Sequence, residues 1–357
     1  MKIRTILVII QRSNGDVLLS ASLINQLNEN LKPEAIDVLV NLDTLSIAKT
    51  LPNIRQIHTF SYQEKNENKF KQEKKIFKKI YRKYDLSINL TSSDRSIIYA
   101  LLASRNAISA VEAVHSKSWW KKIFLKDYYT FDLQSHILIN NLKPLSLLGL
   151  DTIKKQVPPQ CNQVASASIR NKLLKLKISK FMIFHPSAQY NYKVYDEKLR
   201  NDLLHLLNKL NISIVISGGK TEIDHKIKTS LPKLRNIYDL IGETSIDEYI
   251  ALSLMSEGYI GMDTLNMHIA ASQNKRLFAI FGPTKTEMWS PWCNTLQTSS
   301  NINKPIQTYG NITIFQADMP CVACGEKGCK NNGFISDCLS DISPNLIFKE
   351  IKDWLIC

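Results

Sequence analysis

Residues 258–284 read Gly258-Tyr259-Ile260-Gly261-Met262-Asp263-Thr264-Leu265-Asn266-Met267-His268-Ile269-Ala270-Ala271-Ser272 and then, after Gln273 and Asn274, Lys275-Arg276-Leu277-Phe278-Ala279-Ile280-Phe281-Gly282-Pro283-Thr284. An apolar run, a helix-length segment and a second apolar run form the βαβ unit of a parallel sheet. A strand ending at Asp263, with a helix starting directly after it, turns unpaired N–H groups and the positive end of the helix dipole beyond the strand. A diphosphate fits such a place. His268, one turn into the helix, reads equally well as a satisfied core imidazole.

The same alternation runs outward in both directions. Strands are expected at Thr5–Ile10, Ile36–Val40, Leu86–Leu90, Ala107–Val111, Phe181–His185, Ile212–Ser217, Ile237–Ile241, Gly258–Met262 and Leu277–Phe281, with helix-length segments between them. The stretch Gln156-Val157-Pro158-Pro159-Gln160, followed by polar residues up to Ser168, breaks the pattern and reads as a linker. The expected fold class is therefore α/β, with two Rossmann-like domains facing a central cleft. The first covers residues 1–160, the second 161–340, and a C-terminal helix 341–357. In such sheets ligands bind beyond the carboxyl ends of the strands, and a cleft between two domains is the default site.

Three further loops occupy such positions. In Gln11-Arg12-Ser13-Asn14-Gly15-Asp16-Val17 a carboxylate stands at a strand–helix junction, where Asp16 can act as a general base on a hydroxyl or cap a helix beginning at Val17. The loop His185-Pro186-Ser187-Ala188-Gln189-Tyr190-Asn191-Tyr192-Lys193 offers hydroxyl, amide and ammonium groups suited to a diphosphate. Ser217-Gly218-Gly219-Lys220-Thr221-Glu222 ends a strand in a glycine-rich turn whose carboxylate could accept ribose hydroxyls. None of these loops has the spacing of a dinucleotide fingerprint or a P-loop, which argues against a dehydrogenase or a P-loop ATPase.

The 357 residues are 44% hydrophobic and 22% charged, a globular composition, and no apolar run is long enough to span a bilayer. The short apolar stretch Thr5–Ile10 runs into Gln11-Arg12 without a cleavage site, so it reads as a buried strand rather than a signal peptide, and a cytoplasmic location is expected. The net charge of +14 is unevenly spread, residues 1–150 holding 22 basic against 13 acidic side chains. Within them, Gln63–Lys83 reads as a basic amphipathic helix carrying Phe70, Ile76, Phe77, Ile80 and Tyr81. Lys117-Ser118-Trp119-Trp120-Lys121-Lys122-Ile123-Phe124 sets two indoles beside cations, a composition suited to an anionic membrane surface and equally to a solvated helix face with core tryptophans. No nucleic-acid-binding signature accompanies the charge, so nucleic acid is not an expected partner.

Four of the seven cysteines form Cys321-x2-Cys324-x4-Cys329-x8-Cys338. Their number is compatible with a structural zinc site, and free thiols or a redox-dependent bridge are the alternatives. Catalytic cysteine chemistry is not expected, because no histidine partner stands nearby in sequence.

Taken together, Gly15-Asp16-Val17-Leu18-Leu19, the His185-to-Lys193 loop, the turn Gly242-Glu243-Thr244-Ser245 and the block Asp263-Thr264…His268…Phe281-Gly282-Pro283-Thr284 resemble the lipopolysaccharide heptosyltransferases of glycosyltransferase family 9. The order and spacing hold across nearly the whole chain. The tail Met319-Pro320-Cys321-Val322-Ala323-Cys324-Gly325…Cys338-Leu339 resembles that of the heptosyltransferase III type. The resemblance implies a GT-B fold, an acceptor-binding first domain, and a second domain that holds ADP-L-glycero-D-manno-heptose. It also implies inverting transfer to the inner core of a lipid A-linked oligosaccharide, with no metal or cofactor needed for the chemistry and with peripheral attachment to the inner membrane.

Carried over by position, Asp16 matches the catalytic base, and Lys193 matches the lysine that neutralises the departing ADP. Ser187, Asp263 and Thr264 match contacts to the donor diphosphate, Glu222 matches the ribose-binding acid, and His268 supports the turn after Thr264. Arg12, Trp119, Trp120, Lys121 and Lys122 fall where an acceptor or membrane surface is expected. One departure is Leu265, where many relatives carry glycine. The alternatives are a family 9 transferase that uses another nucleotide sugar and a catalytically silent paralogue that binds core oligosaccharide.

Overall fold

The computed structural model describes residues 2–112, 119–330, 333 and 335–356. Lys117 and Ser118, quoted above with the tryptophans, lie outside the described residues. The chain divides into two compact units, Met1–Gln160 and Cys161–Cys357.

The first unit holds strands β1 (Thr5–Ile10), β2 (Ala35–Asn41), β3 (Gln56–Phe60), β4 (Leu86–Asn89), β5 (Ala107–Val111) and β6 (Asp127–Thr130) in the order β3-β2-β1-β4-β5-β6, all parallel. Ile6 to Ile10 are wholly buried, as a central parallel strand covered on both faces requires. Leu7, Ile9 and Leu39 pack against Ile76 and Ile80 of the helix Tyr62–Ile80 and against Ile97 and Ala100 of the helix Asp94–Ala103.

The second unit holds β7 (Phe181–His185), β8 (Ser213–Ile216), β9 (Ile237–Asp239), β10 (Gly258–Met262), β11 (Arg276–Ile280), β12 (Ile306–Tyr309) and β13 (Ile312–Phe315) in the order β12-β13-β11-β10-β7-β8-β9. Only the β12–β13 hairpin is antiparallel. Phe184, Ile214, Ile260 and Phe278 share a core with Leu203, Leu204 and Leu207 of the helix Glu197–Leu207. Ile347 and Ile351 of the closing helix Pro344–Ile356 join the same core.

In each sheet the strand order reverses direction once, between β1 and β4 and between β7 and β10. The carboxyl ends of these strand pairs are where an open α/β sheet leaves a crevice for a ligand.

All nine expected strands form, but β3, β6, β12 and β13 were not expected. β3, β6 and the β12–β13 hairpin lie toward sheet edges, where one-sided burial weakens the apolar signal. β3 also buries a polar residue: His58 Nε2 lies 2.9 Å from the Tyr84 hydroxyl, which donates to Asp37 at 2.8 Å.

The expected linker is shorter than its composition implied. Gln163–Lys175 is a helix, because Asn162 Oδ1 accepts the Val164 and Ala165 N–H groups and Ala165, Ile169 and Leu173 supply a buried stripe. The basic helix begins at Tyr62, where Ser61 accepts the Glu64 N–H. Of its expected apolar face only Ile76 and Ile80 are buried; Phe70, Phe77 and Tyr81 are exposed among the lysines. No helix among the described residues is long and apolar enough to cross a membrane.

Candidate functional site

In the second unit the β7–β10 crevice gathers most of the expected diphosphate-binding residues. β10 can close on β7 only because residue 261 is glycine: at its φ of +154°, a Cβ would lie 2.4 Å from the His185 carbonyl oxygen. Just beyond, Asp263 is buried and Thr264 opens the helix Leu265–Ser272, whose first N–H groups have no intrahelical partner. Lys193, at the end of the short turn Asn191–Lys193, donates from Nζ to Asp263 Oδ2 at 2.9 Å. Burial works against the lysine charge, but Asp263 outweighs it and holds the Lys193 pKa above its ordinary value. A permanently charged ammonium therefore stands beside a helix N-terminus, an arrangement suited to a multiply charged anion.

Of the residues that support them, Ser187 was expected, whereas His185, Ser217, Asn266 and Asp224 were not given a role by the sequence. His185 Nδ1 lies 3.0 Å from Ser217 Oγ and 3.0 Å from the Asn266 amide nitrogen, which ties the ends of β7 and β8 to the helix after β10. Burial lowers the His185 pKa to about 4 against a smaller opposing pull from Asp224, so the ring is neutral at physiological pH. Ser187 is buried, with its hydroxyl hydrogen-bonded to Asp224. Asp224 also accepts from Gly219 N, Thr221 N and Thr221 Oγ at 2.9, 2.8 and 2.6 Å. Burial raises the Asp224 carboxyl, but these donors prevail and hold it below the usual carboxylate range. Asp224 is thus the acid that organises the glycine-rich turn, and the Thr221-x-x-Asp224 capping box was a readable sign of it.

Glu222, the acid expected to meet ribose, is exposed and paired with Lys226 at 2.8 Å. Thr264 Oγ1 lies 3.5 Å from the Tyr259 hydroxyl. His268 is buried, its ring centroid 6.2 Å from that of Trp289.

The neutral state of His185 has a measurable consequence. An unfolded histidine titrates near 6.5 and the folded one near 4, so the unfolded chain binds the extra proton as pH falls through that window. Stability is full above about pH 6.5 and declines toward pH 4. Between pH 7 and pH 5 the wild type should lose about 2 kcal/mol more unfolding free energy than His185→Gln, measured by denaturant midpoints. Equal losses would contradict a neutral, buried His185.

In the first unit, Asp16 lies beyond the end of β1. The helix starts at Asn14 rather than Val17, and Asp16 is its third residue: Oδ2 accepts from Ser13 N at 3.2 Å and Ser13 Oγ at 2.6 Å. The cap is therefore Ser13, and Asp16 is its reciprocal partner. The other oxygen, Oδ1, pairs with Arg12 Nε at 2.9 Å, and the Arg12 guanidinium lies 4.8 Å from the Phe131 ring centroid. The Gln11 amide and Asn41 Oδ1, at the ends of β1 and β2, are buried without a hydrogen-bond partner among the described residues.

The expected surface cluster separates into two groups. Trp119, Ile123 and Phe124 of the helix Trp119–Phe124 are each 65% exposed, and Lys122 is exposed with Nζ 5.5 Å from the Tyr128 ring centroid. Lys121 turns inward instead: it is buried, donates to Ser92 O at 3.1 Å and pairs with Asp94 at 2.7 Å. This corrects its expected place on an outer surface, because the Ser92 carbonyl and the Asp94 carboxylate, at the start of the Asp94–Ala103 helix, draw the ammonium in. Trp120 packs against the first core.

With this geometry in place, the relatives are informative. The model of the family described as glycosyltransferase family 9 (heptosyltransferase) matches residues 74–317. Lipopolysaccharide heptosyltransferase 3 of Escherichia coli is 28% identical over 298 residues, covering 80% of this chain and 85% of its own. The crystal structure of the glycosyl transferase family 9 from Veillonella parvula superposes with a TM-score of 0.78 at 15% identity, covering 100% of this chain and 99% of its own. The E. coli heptosyltransferase WaaC with ADP-2-deoxy-2-fluoro heptose superposes with a TM-score of 0.69 at 15% identity, covering 98% and 99%.

Proposed function

The chain belongs to glycosyltransferase family 9 and has the GT-B fold of that family, and from that premise we propose that it transfers a heptose from ADP-L-glycero-D-manno-heptose to the inner core of lipopolysaccharide with inversion at the anomeric carbon. The observation that carries the proposal is the Lys193–Asp263 pair beside the N-terminus of the helix Leu265–Ser272, at the point where the second sheet reverses its strand order. A relative of the same fold is described with an ADP-heptose analogue, which supports ADP as the nucleotide.

In this reading the donor diphosphate meets Lys193, Thr264 and the N–H groups that follow it. Negative charge on the ADP leaving group grows as the glycosidic bond breaks, so an ammonium fixed there stabilises the transition state more than the ground state. Asp263 holds Lys193 in place and keeps it charged. Ser187 acts on the glycine-rich turn through Asp224, and Glu222, exposed at the first position of its helix, reaches for the ribose hydroxyls. His268 backs the helix from beneath.

Asp16 is the general base. It takes the proton from the acceptor hydroxyl as that oxygen attacks the anomeric carbon. Arg12 orients the carboxylate and, with the unsatisfied Gln11 amide and Asn41 Oδ1, offers the polar surroundings a polyhydroxylated acceptor needs. Trp119 and Lys122, with Ile123 and Phe124, belong to the face that meets an anionic bilayer, and Trp120 anchors that helix to the core behind it, in keeping with a peripheral, cytoplasmic enzyme.

Calorimetric titration with ADP, UDP and GDP tests the nucleotide assignment. ADP is expected to bind at least about tenfold more tightly than the other two, a difference of about 1.4 kcal/mol. A preference for UDP or GDP would assign the chain to another sugar donor, and no binding of any of them would favour a silent oligosaccharide-binding protein.

A further inference from the structure

Between Phe70 and Lys83 the sequence holds seven cations and a single acid, Glu73. Phe70 and Phe77 of the helix Tyr62–Ile80, with Tyr81 just past its end, recur at spacings of seven and four and so share one stripe. The buried stripe is a different one, made by Gln72, Ile76 and Ile80. Phe70 is 86% exposed, the exposed rings of Phe77 and Tyr81 lie 4.7 Å apart, and all seven cations are exposed. Glu73 turns aside and accepts from the Tyr99 hydroxyl of the helix Asp94–Ala103 at 2.5 Å. The outward side of this segment therefore carries apolar rings and positive charge with no exposed acid among them.

This stripe does not stand alone. Leu7 and Ile9 point to one face of the first sheet, and the core there takes Ile76 and Ile80 from this helix, Ile97 and Ala100 from Asp94–Ala103, and Trp120 from Trp119–Phe124. The three helices form one layer, stitched by the Tyr99–Glu73 bond and by the Lys121–Asp94 pair at 2.7 Å, which also neutralises Asp94. On the outside of that layer stand Ile98, Trp119, Ile123 and Phe124, with Lys122 exposed beside them. Among the described residues, every exposed phenylalanine and tryptophan of the chain lies in this layer.

Exposed rings in such number call for something that covers them, and the neighbouring charges say what it is. Interfaces between proteins are depleted of lysine, whereas six of the seven cations between Phe70 and Lys83 are lysines. Aromatic side chains amid lysines match a helix lying in the headgroup region of an anionic bilayer, where rings enter and long ammonium-bearing stems reach the lipid phosphates.

We propose that the helices Tyr62–Ile80 and Trp119–Phe124 present one docking surface for an anionic phospholipid bilayer, with Phe70, Phe77, Tyr81, Trp119 and Phe124 entering the headgroup region. The proposal rests in part on the bilayer face assigned above to the shorter helix and carries it to the longer one, which holds most of the charge. It is independent of which nucleotide sugar the second unit binds.

The test is cosedimentation of the full-length chain with vesicles of phosphatidylcholine, alone or mixed equally with phosphatidylglycerol. The wild type should bind the mixed vesicles and be released as salt is raised. Each cation near an anionic surface contributes about fivefold to binding, so Lys74→Gln/Lys75→Gln/Lys78→Gln should weaken it by about 10²-fold. Phe70→Ser/Phe77→Ser should weaken it at least about tenfold, with Tm and the Kd for ADP unchanged in both variants. A wild type that stays in the supernatant, or binds pure phosphatidylcholine equally well, would overturn the proposal. Loss of binding in Trp119→Ser/Phe124→Ser with both variants of the longer helix unaffected would overturn it too, and would leave the shorter helix as the bilayer face. A dimer of the free chain that Phe70→Ser/Phe77→Ser dissociates, without vesicle binding, would assign the surface to a second copy instead. Failure of the nucleotide assignment shows separately, in the titration with ADP, UDP and GDP.

Discussion

Asp16→Asn is expected to lower kcat by about 10²–10⁴-fold, the range lost when a general base is removed, while the ADP affinity stays within a factor of two or so of the wild type. The substitution keeps the shape of the side chain, and its remaining oxygen can still accept from Ser13 N and Ser13 Oγ. What it removes is the basic oxygen and the charge paired with Arg12, which is only partly exposed. The stability cost should be no more than about 1 kcal/mol, the usual worth of one partly solvated ion pair. Asp16→Ala separates the two roles, losing as much activity as the asparagine variant but more stability, because the reciprocal cap with Ser13 goes as well. Asp16→Asn retaining more than about a tenth of wild-type kcat would show that the carboxylate serves the helix alone.

Lys193→Ala carries the second large effect. It should reduce kcat by about 10²–10³-fold, comparable to loss of a charge-stabilising donor at a reacting centre, and weaken ADP binding. It also strands Asp263, a buried carboxylate whose hydrogen-bonded partner is gone. Breaking a fully buried pair costs about 3–5 kcal/mol; Lys193 is 25% exposed, so a smaller cost of about 1–3 kcal/mol is expected here. The double variant Lys193→Met/Asp263→Asn should recover most of that stability and none of the activity, since it removes the stranded charge without restoring the cation. Recovery of activity in the double variant would mean that Lys193 serves only to neutralise Asp263.

Much of this was legible in the sequence. Central parallel strands are buried on both faces, so Ile6–Ile10 and Phe181–His185 announced themselves as continuous apolar runs. The edge strands β3 and β6 did not, because half of each faces outward and His58 buries its polarity in a network with Tyr84 and Asp37 that only the fold assembles. Asp263 and Thr264 were readable because a strand–helix junction exposes chemistry locally. The partnership of Lys193 with Asp263 spans 70 residues of sequence, and only pairing of β7 with β10 creates it. The same holds for Ser187 with Asp224 and for His185 with Asn266.

Lys121 failed as a surface cation for the converse reason. Composition places charge on a helix, but the register of that helix against its neighbours decides which lysine turns inward. Glu222 and Asp224 illustrate the same limit two residues apart: either acid fits a ribose-binding turn by sequence, and only the fold turns one to solvent and makes the other the centre of the turn.

The most direct test of the central claim is a transfer assay. The purified chain is incubated with ADP-L-glycero-D-manno-heptose and a heptose-bearing lipid A-linked core acceptor, with free ADP and the acceptor followed by mass spectrometry and the new linkage by NMR. Release of one ADP for each heptosyl unit gained by the acceptor, with inverted anomeric configuration and loss of both signals in Asp16→Asn, is the predicted result. An acceptor left unchanged while the protein binds ADP tightly, or modified only when a uridine or guanosine nucleotide sugar is supplied, would contradict it.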